Sequence, residues 1–309
     1  FYNMDLLDEA GLEHPPTDWK DESWTWDKVL EYGTKLTKDY GTADAVYGLT
    51  GGDQYHQWAF VWATDCWKTD WYERAGVTEE AFQITDAFLE SMQFWQDLIY
   101  KYKIWPTPSD ASAMNSLGNP FKTGRLAMSW EGGWGYWNYS DIEEFNWGVA
   151  PTPWGVSNKC VNWTDPVLSP REGKHNQESW NLIKYLTSQE GQTAYAKAAG
   201  TPPTREDAIE PWVEYMVSTK CGLSADQFRE VALGYRDNYM DNWAHYIIRA
   251  SEYQQIQTQH VDILLNNEQT PEELFPTVKE KMDEVANNVY NEYKDTPLGE
   301  DTLCAPLTR

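Results

Sequence analysis

Helix starts are marked along almost the whole of this chain, and short apolar runs bounded by glycine or proline stand between them. Thr25 precedes Trp26-Asp27 and the apolar set Val29, Leu30, Gly33 and Leu36, as an N-cap precedes an amphipathic helix, here to about Lys38. Thr78-Glu79-Glu80-Ala81 opens a longer helix, with Phe88, Met92, Trp95 and Ile99 on one face and an end near Tyr102. Asn119-Pro120 caps a turn that Gly124 closes. Glu178 to Tyr185 reads as helix, Thr187 to Glu190 has capping-box spacing for the next one, and Gly200 stops it ahead of Pro202-Pro203. Pro211 to His260 reads as mostly helical, and Thr270-Pro271-Glu272-Glu273 caps a last helix to about Tyr293. Between these lie Phe1-Tyr2-Asn3, Arg125 to Trp130, an alternating half-buried strand, and Asn146 to Ala150. A chain so punctuated is α/β, and its 309 residues suit roughly two domains.

Charge narrows the partners. The 49 acidic residues against 24 basic ones leave a net charge of -25, which repels phosphate backbones and anionic lipid, so nucleic acid and membrane surfaces are disfavoured. No apolar run is long enough to span a bilayer. Cys66, Cys160, Cys221 and Cys304 lie far apart without zinc-ligand spacing, so no metal or other cofactor is expected, and disulfides and free thiols both stay open. The anomaly is aromatic: 18 Trp and 19 Tyr, rings that suit a core and equally suit stacking on the flat apolar face of a sugar. Five of them crowd into WEGGWGYWNY, where the strand ending at Trp130 enters Glu131-Gly132-Gly133-Trp134, and strand exits of this kind favour ligand sites.

Six stretches in order, FYNMDLLDEAGLEHPPTDW, WTWDKVLEYGTKLT, FKTGRLAMSWEGGWGYW, FNWGVAPTPWG, SWNLIKYLTSQEGQTAYAKAAGTPPTR and NNEQTPEELF, resemble the family 1 extracellular solute-binding proteins of ATP-binding-cassette (ABC) importers, the maltodextrin-binding type. The resemblance runs from Phe1 to about Tyr293. It implies a two-lobe α/β periplasmic-binding-protein-like fold that closes by a hinge around ligand. Residues 1–161 and 212–295 would belong to the second lobe, 162–211 would return to the first, and 296–309 would be a tail. The family places a domain-sized piece before Tyr2-Asn3, so the resemblance implies that most of the first lobe is absent from this chain.

By the same resemblance Trp134 is the principal stacking ring, with Tyr136 and Trp137 as core or rim. Gln54, Tyr55 and Trp58 fall where the family faces its cleft, and Asn162 and Trp163 fall at the crossing between lobes. Asn242, Trp243 and Tyr253 complete the expected set. The implied function is noncatalytic, extracytoplasmic capture of a carbohydrate for ABC permease subunits, by a monomer in the periplasm or on the cell surface, with lipid anchoring open. A cationic or peptide ligand in the same fold is the rival, since the acid excess and an aromatic box would suit a cation. A glycoside hydrolase would need two carboxylates across the scissile bond. Glu131 is one candidate, but it has no evident partner.

Overall fold

The computed structural model describes residues 1–162, 166–170, 172–241 and 247–296. β1 (Tyr2–Asn3) runs directly into α1 (Met4–Glu9), where the Asn3 side chain accepts from the Leu6 amide at 3.1 Å. α2 (Trp26–Leu36) begins as expected at Thr25, which accepts from the Lys28 amide at 3.1 Å. Then come β2 (Tyr47–Gly51), α3 (Tyr55–Val61), α4 (Thr69–Glu73), α5 (Asp86–Tyr100) and α6 (Pro108–Ser116). β3 (Leu126–Trp130), α7 (Trp134–Tyr139), β4 (Trp147–Gly148) and β5 (Cys160–Asn162) follow. The remainder is α8 (Asn176–Leu186), α9 (Gln189–Ala199), α10 (Ile209–Val217), α11 (Ala225–Gly234), β6 (Tyr239–Asp241), α12 (Ala250–Leu265) and α13 (Pro271–Tyr293).

Four strands form one sheet in the order β2-β3-β1-β4, with β3 parallel to β2 and antiparallel to β1. β3 is therefore interior to the sheet, and Leu126, Ala127, Met128 and Ser129 are all buried. This corrects the half-buried alternation expected of it: a strand covered on both faces reads as a continuous apolar run, and only Ser129 interrupts it. β5 and β6 pair in parallel as a second, two-stranded sheet, so a short strand interrupts the stretch read as helical.

Two helix starts also differ from expectation, each for a local reason. α5 begins at Thr85, whose hydroxyl accepts from the Phe88 amide at 3.0 Å, and not at Thr78. The amides of Ala81 and Phe82 are instead bound to one carboxylate oxygen of Asp283 on α13, at 2.9 and 3.1 Å, which holds that segment extended. α9 is capped by Ser188, because the Thr187 hydroxyl is spent on the Ile183 carbonyl at the end of α8. The last helix fits: Thr270 and Glu273 form a reciprocal capping box at the start of α13. Of the expected tail, residues 297–309 lie outside the described residues.

Most of the aromatic excess is core. Trp58, Trp67, Trp71, Trp95, Trp147 and Trp212 are fully buried. Trp67 stacks on Trp71 at 4.6 Å and Trp58 on Trp95 at 5.4 Å, joining α3, α4 and α5 into one packed layer over α12 and α13. A second cluster gathers α7, α10 and α11 around Tyr136, Trp212 and Phe228. α8 is the exception, with no buried residue and with Trp180, Leu182 and Tyr185 exposed.

Candidate functional site

A cavity of about 880 Å³ opens at the end of β3, within the size range of small-molecule sites. One set of lining residues comes from the main sheet, α2 and the start of α7, including Trp26, Trp130 and Trp134. The other comes from β5 and the α8–α9 region, including Asn162, Tyr195 and Pro202. The Trp19 and Trp24 indoles line it too, with their N–H groups donated to the carbonyls of Val231 at 2.8 Å and Pro151 at 3.2 Å. Tied at their polar edges, these indoles have their positions fixed by backbone rather than by a ligand.

Trp134 is the first residue of α7 and stands 41% exposed. Its ring lies back over Gly132, where a Cβ would come 2.7 Å from Cε3 and closer still to Cζ3. A side chain at position 132 would therefore push the indole out of this position. The base of the turn is fixed from behind: Tyr136 is buried edge-on to Trp212 at 5.5 Å and to Phe228 at 5.4 Å, while Trp137 points away, 62% exposed. Gly200, in the left-handed region at φ +68°, closes α9 against the α7 backbone, and its carbonyl accepts from Trp212 Nε1 at 2.8 Å. That contact holds the Thr201-Pro202-Pro203 wall of the cavity next to α7.

Of the residues singled out in the sequence, Trp134 and Asn162 line this cavity. Tyr55 and Trp58 are in the core instead, with no exposed surface. Tyr55 packs edge-on to Phe275 at 5.0 Å and donates to the Gln257 carbonyl at 3.3 Å. Trp58 donates to the Gly52 carbonyl at 2.7 Å and supports Trp130 edge-on at 4.6 Å, so it stands one layer behind the cavity surface. Tyr253 is buried against Trp67 and Trp71, and Gln54 is the half-buried residue before α3 and makes no capping bond. Trp163, Asn242 and Trp243 lie outside the described residues. Trp19, Trp24, Trp26 and Trp130 were missed; the signal for Trp130 was its place at the strand exit, but the others precede or open α2 like ordinary core residues.

The polar lining includes Glu131, Thr152, Gln192 and Arg236. Gln192 is spent locally, its oxygen accepting from the Thr204 amide at 3.0 Å and its nitrogen donating to Leu186. Among the described residues there is no cluster of His, Cys, Asp and Glu fit for a metal ion, and no helix long and apolar enough to cross a membrane.

A model of the bacterial extracellular solute-binding protein family matches residues 1–216. A Brucella abortus protein named only as a binding protein is 22% identical over 224 residues, 71% of this chain and 50% of its own length, so the chain spans about half the length of the curated relatives it matches. Among solved structures, an ABC substrate-binding protein of Listeria monocytogenes in complex with cycloalternan aligns with a TM-score of 0.72 at 16% identity, over 92% of this chain and 68% of that one. Maltose-bound MalE3 of T. maritima aligns with a TM-score of 0.66 at 20% identity, over 92% and 69% of the two chains. At such identities the likeness is one of fold: the mixed α/β, two-lobe substrate-binding fold expected from the sequence.

Proposed function

The chain belongs to the family of bacterial extracellular solute-binding proteins, and from that membership we propose that it is the extracytoplasmic binding component of an ABC importer, taking a sugar or oligosaccharide into the cavity at the end of β3. The observation that carries this reading is the lining itself: an exposed indole on a glycine turn, with Trp26 and Trp130 in the same cavity wall and Asn162 and Thr152 among the polar groups. A pyranose presents apolar C–H faces that an indole covers, and hydroxyls that need partners able to donate and accept. The ligands named for the Listeria and T. maritima structures, cycloalternan and maltose, agree with that chemistry.

In this reading residues 1–161 and 212–295 form one lobe, 162–211 belong to the other, and the ligand lies between them. Permease subunits are the partners, the chain works as a monomer, and it turns over no substrate. A thermal-shift screen against mono- and oligosaccharides tests the proposal, because a ligand that binds only the folded state raises the melting point. A rise with one glycan class that is lost in Trp134→Ala supports it. Silence across the panel, with a rise for a polyamine or peptide, refutes the sugar reading; release of hydrolysis products from a bound glycan refutes the noncatalytic one.

A further inference from the structure

Glu131, the residue between β3 and the glycine turn, has a carboxylate that is held on one side only. Its Oε1 accepts from Ser129 Oγ at 2.7 Å and from the Tyr139 hydroxyl. Tyr139 is 2% exposed, packed on Phe121 at 4.4 Å and edge-on to Phe1 at 5.2 Å. Burial first, and then the Glu131 charge, push the Tyr139 phenol well above its ordinary range, so it keeps its proton and serves as a fixed donor. The backbone of Ser129 is held by Phe1, whose carbonyl accepts from the Ser129 amide at 2.8 Å.

A carboxylate has about four lone-pair sites, two on each oxygen. Ser129 and Tyr139 occupy those of Oε1, and among the described residues no hydrogen bond is made to Oε2. Glu131 lines the cavity directly beside the turn that sets Trp134. An acceptor fixed at the margin of a stacking ring is what is needed to read one substituent of a ligand lying on that ring.

We propose that Glu131 is the specificity-determining acceptor of this cavity, presenting Oε2 to a hydrogen-bond donor on the ligand, and that Tyr139 is the residue that positions it. The proposal rests on the binding-protein reading above. For a saccharide the donor is a hydroxyl; an ammonium group offers the same chemistry, and the two are told apart by substitution. Glu131→Gln keeps an oxygen for Ser129 and Tyr139 but turns an NH₂ toward the ligand. A hydroxyl can accept from that NH₂, whereas an ammonium cannot.

Calorimetric titration with maltotriose and with spermidine, on the wild-type chain, Glu131→Gln, Glu131→Ala and Tyr139→Phe, is the test. If the donor is a hydroxyl, maltotriose affinity falls about tenfold in Glu131→Gln and further in Glu131→Ala. If it is an ammonium, spermidine is the probe that binds, and its affinity falls about a hundredfold in Glu131→Gln. In either case Tyr139→Phe weakens binding severalfold alone and costs nothing more in the Glu131→Ala background, a coupling that a merely structural tyrosine would not show. Unchanged affinity in Glu131→Gln, or equal Tyr139→Phe losses in both backgrounds, overturns the proposal. A ligand-free crystal structure of Tyr139→Phe separates this from failure of the sugar reading. Glu131 turned from its wild-type rotamer supports the positioning even if neither probe binds; an unmoved Glu131 overturns it.

Discussion

The indole of Trp134 folds back over Gly132, and only the absent Cβ of that glycine leaves room for it. The exposed ring is therefore placed by its own turn. Gly132→Ala should displace the ring, because a Cβ would lie 2.7 Å from Cε3. Stacking of this kind is worth on the order of 1 kcal/mol, so ligand affinity should fall about fivefold, toward that of Trp134→Ala. Stability should change by no more than about 0.5 kcal/mol, as for other surface sites. Titration calorimetry and chemical denaturation on the same preparation measure the two effects.

Asp283 joins α13 to the segment before α5. One oxygen accepts the amides of Ala81 and Phe82, and the other accepts from Lys279 at 2.5 Å. Asp283→Ala leaves two backbone donors without their partner and should cost about 2 to 4 kcal/mol of stability. It should leave ligand affinity per folded molecule unchanged, because Asp283 does not line the cavity. Urea denaturation with parallel titration checks both parts.

Two neighbouring segments carry groups, His56 and Asp65, that should oppose each other in acid. Burial lowers the His56 imidazole from 6.5 to about 4. Between those values the unfolded chain binds the proton and the folded chain does not, so His56 stabilises fully above about 6.5 and loses about 3 kcal/mol as pH falls to 4. Burial instead raises the Asp65 carboxyl from 3.8 to about 6, against the donors Trp67 N–H and Tyr72 OH. There the folded chain binds the extra proton, so stability is recovered as pH falls from about 6 toward 3.8. Melting curves should thus show His56→Phe holding its stability better than wild type from pH 6.5 to 4, and Asp65→Asn losing it more steeply. Parallel curves for all three proteins would contradict this.

The three cysteines described are free thiols, and burial pushes each upward: Cys221 to about 11, Cys160 to about 12, and Cys66 well above the usual range. A Cys304→Ser chain at pH 8 should accordingly react with a disulfide reagent only after denaturation, since the thiolate is the nucleophile. Rapid labelling of the native chain would overturn this.

Caps were the most legible part of the sequence. Thr25 and the Thr270–Glu273 pair act through bonds to residues within a few positions, and Gly200 acts through its own left-handed φ, so a local pattern reports them. Thr78 misled because its helix was forestalled by Asp283, which lies 202 residues on from Ala81. The same distinction runs through the site. Trp134 follows a strand exit, Asn162 ends a strand, and both line the cavity, while Tyr55, Trp58 and Tyr253 carry the same chemistry into the core. Composition could not separate them, because a ring that covers a sugar also fills a hydrophobic layer. Tyr139 escaped notice because its hydroxyl matters only through Glu131, which precedes α7 and is brought to the far end of that helix by the glycine turn.

The central claim is that the cavity beside Trp134 holds a neutral sugar. Calorimetric titration of the best glycan from the thermal screen, at about 0.05 M and 0.5 M salt with wild-type and Trp134→Ala chains, tests it directly. The account predicts saturable binding that barely responds to salt and falls about tenfold in the mutant. Binding that weakens steeply with salt, or that is indifferent to Trp134, would contradict it.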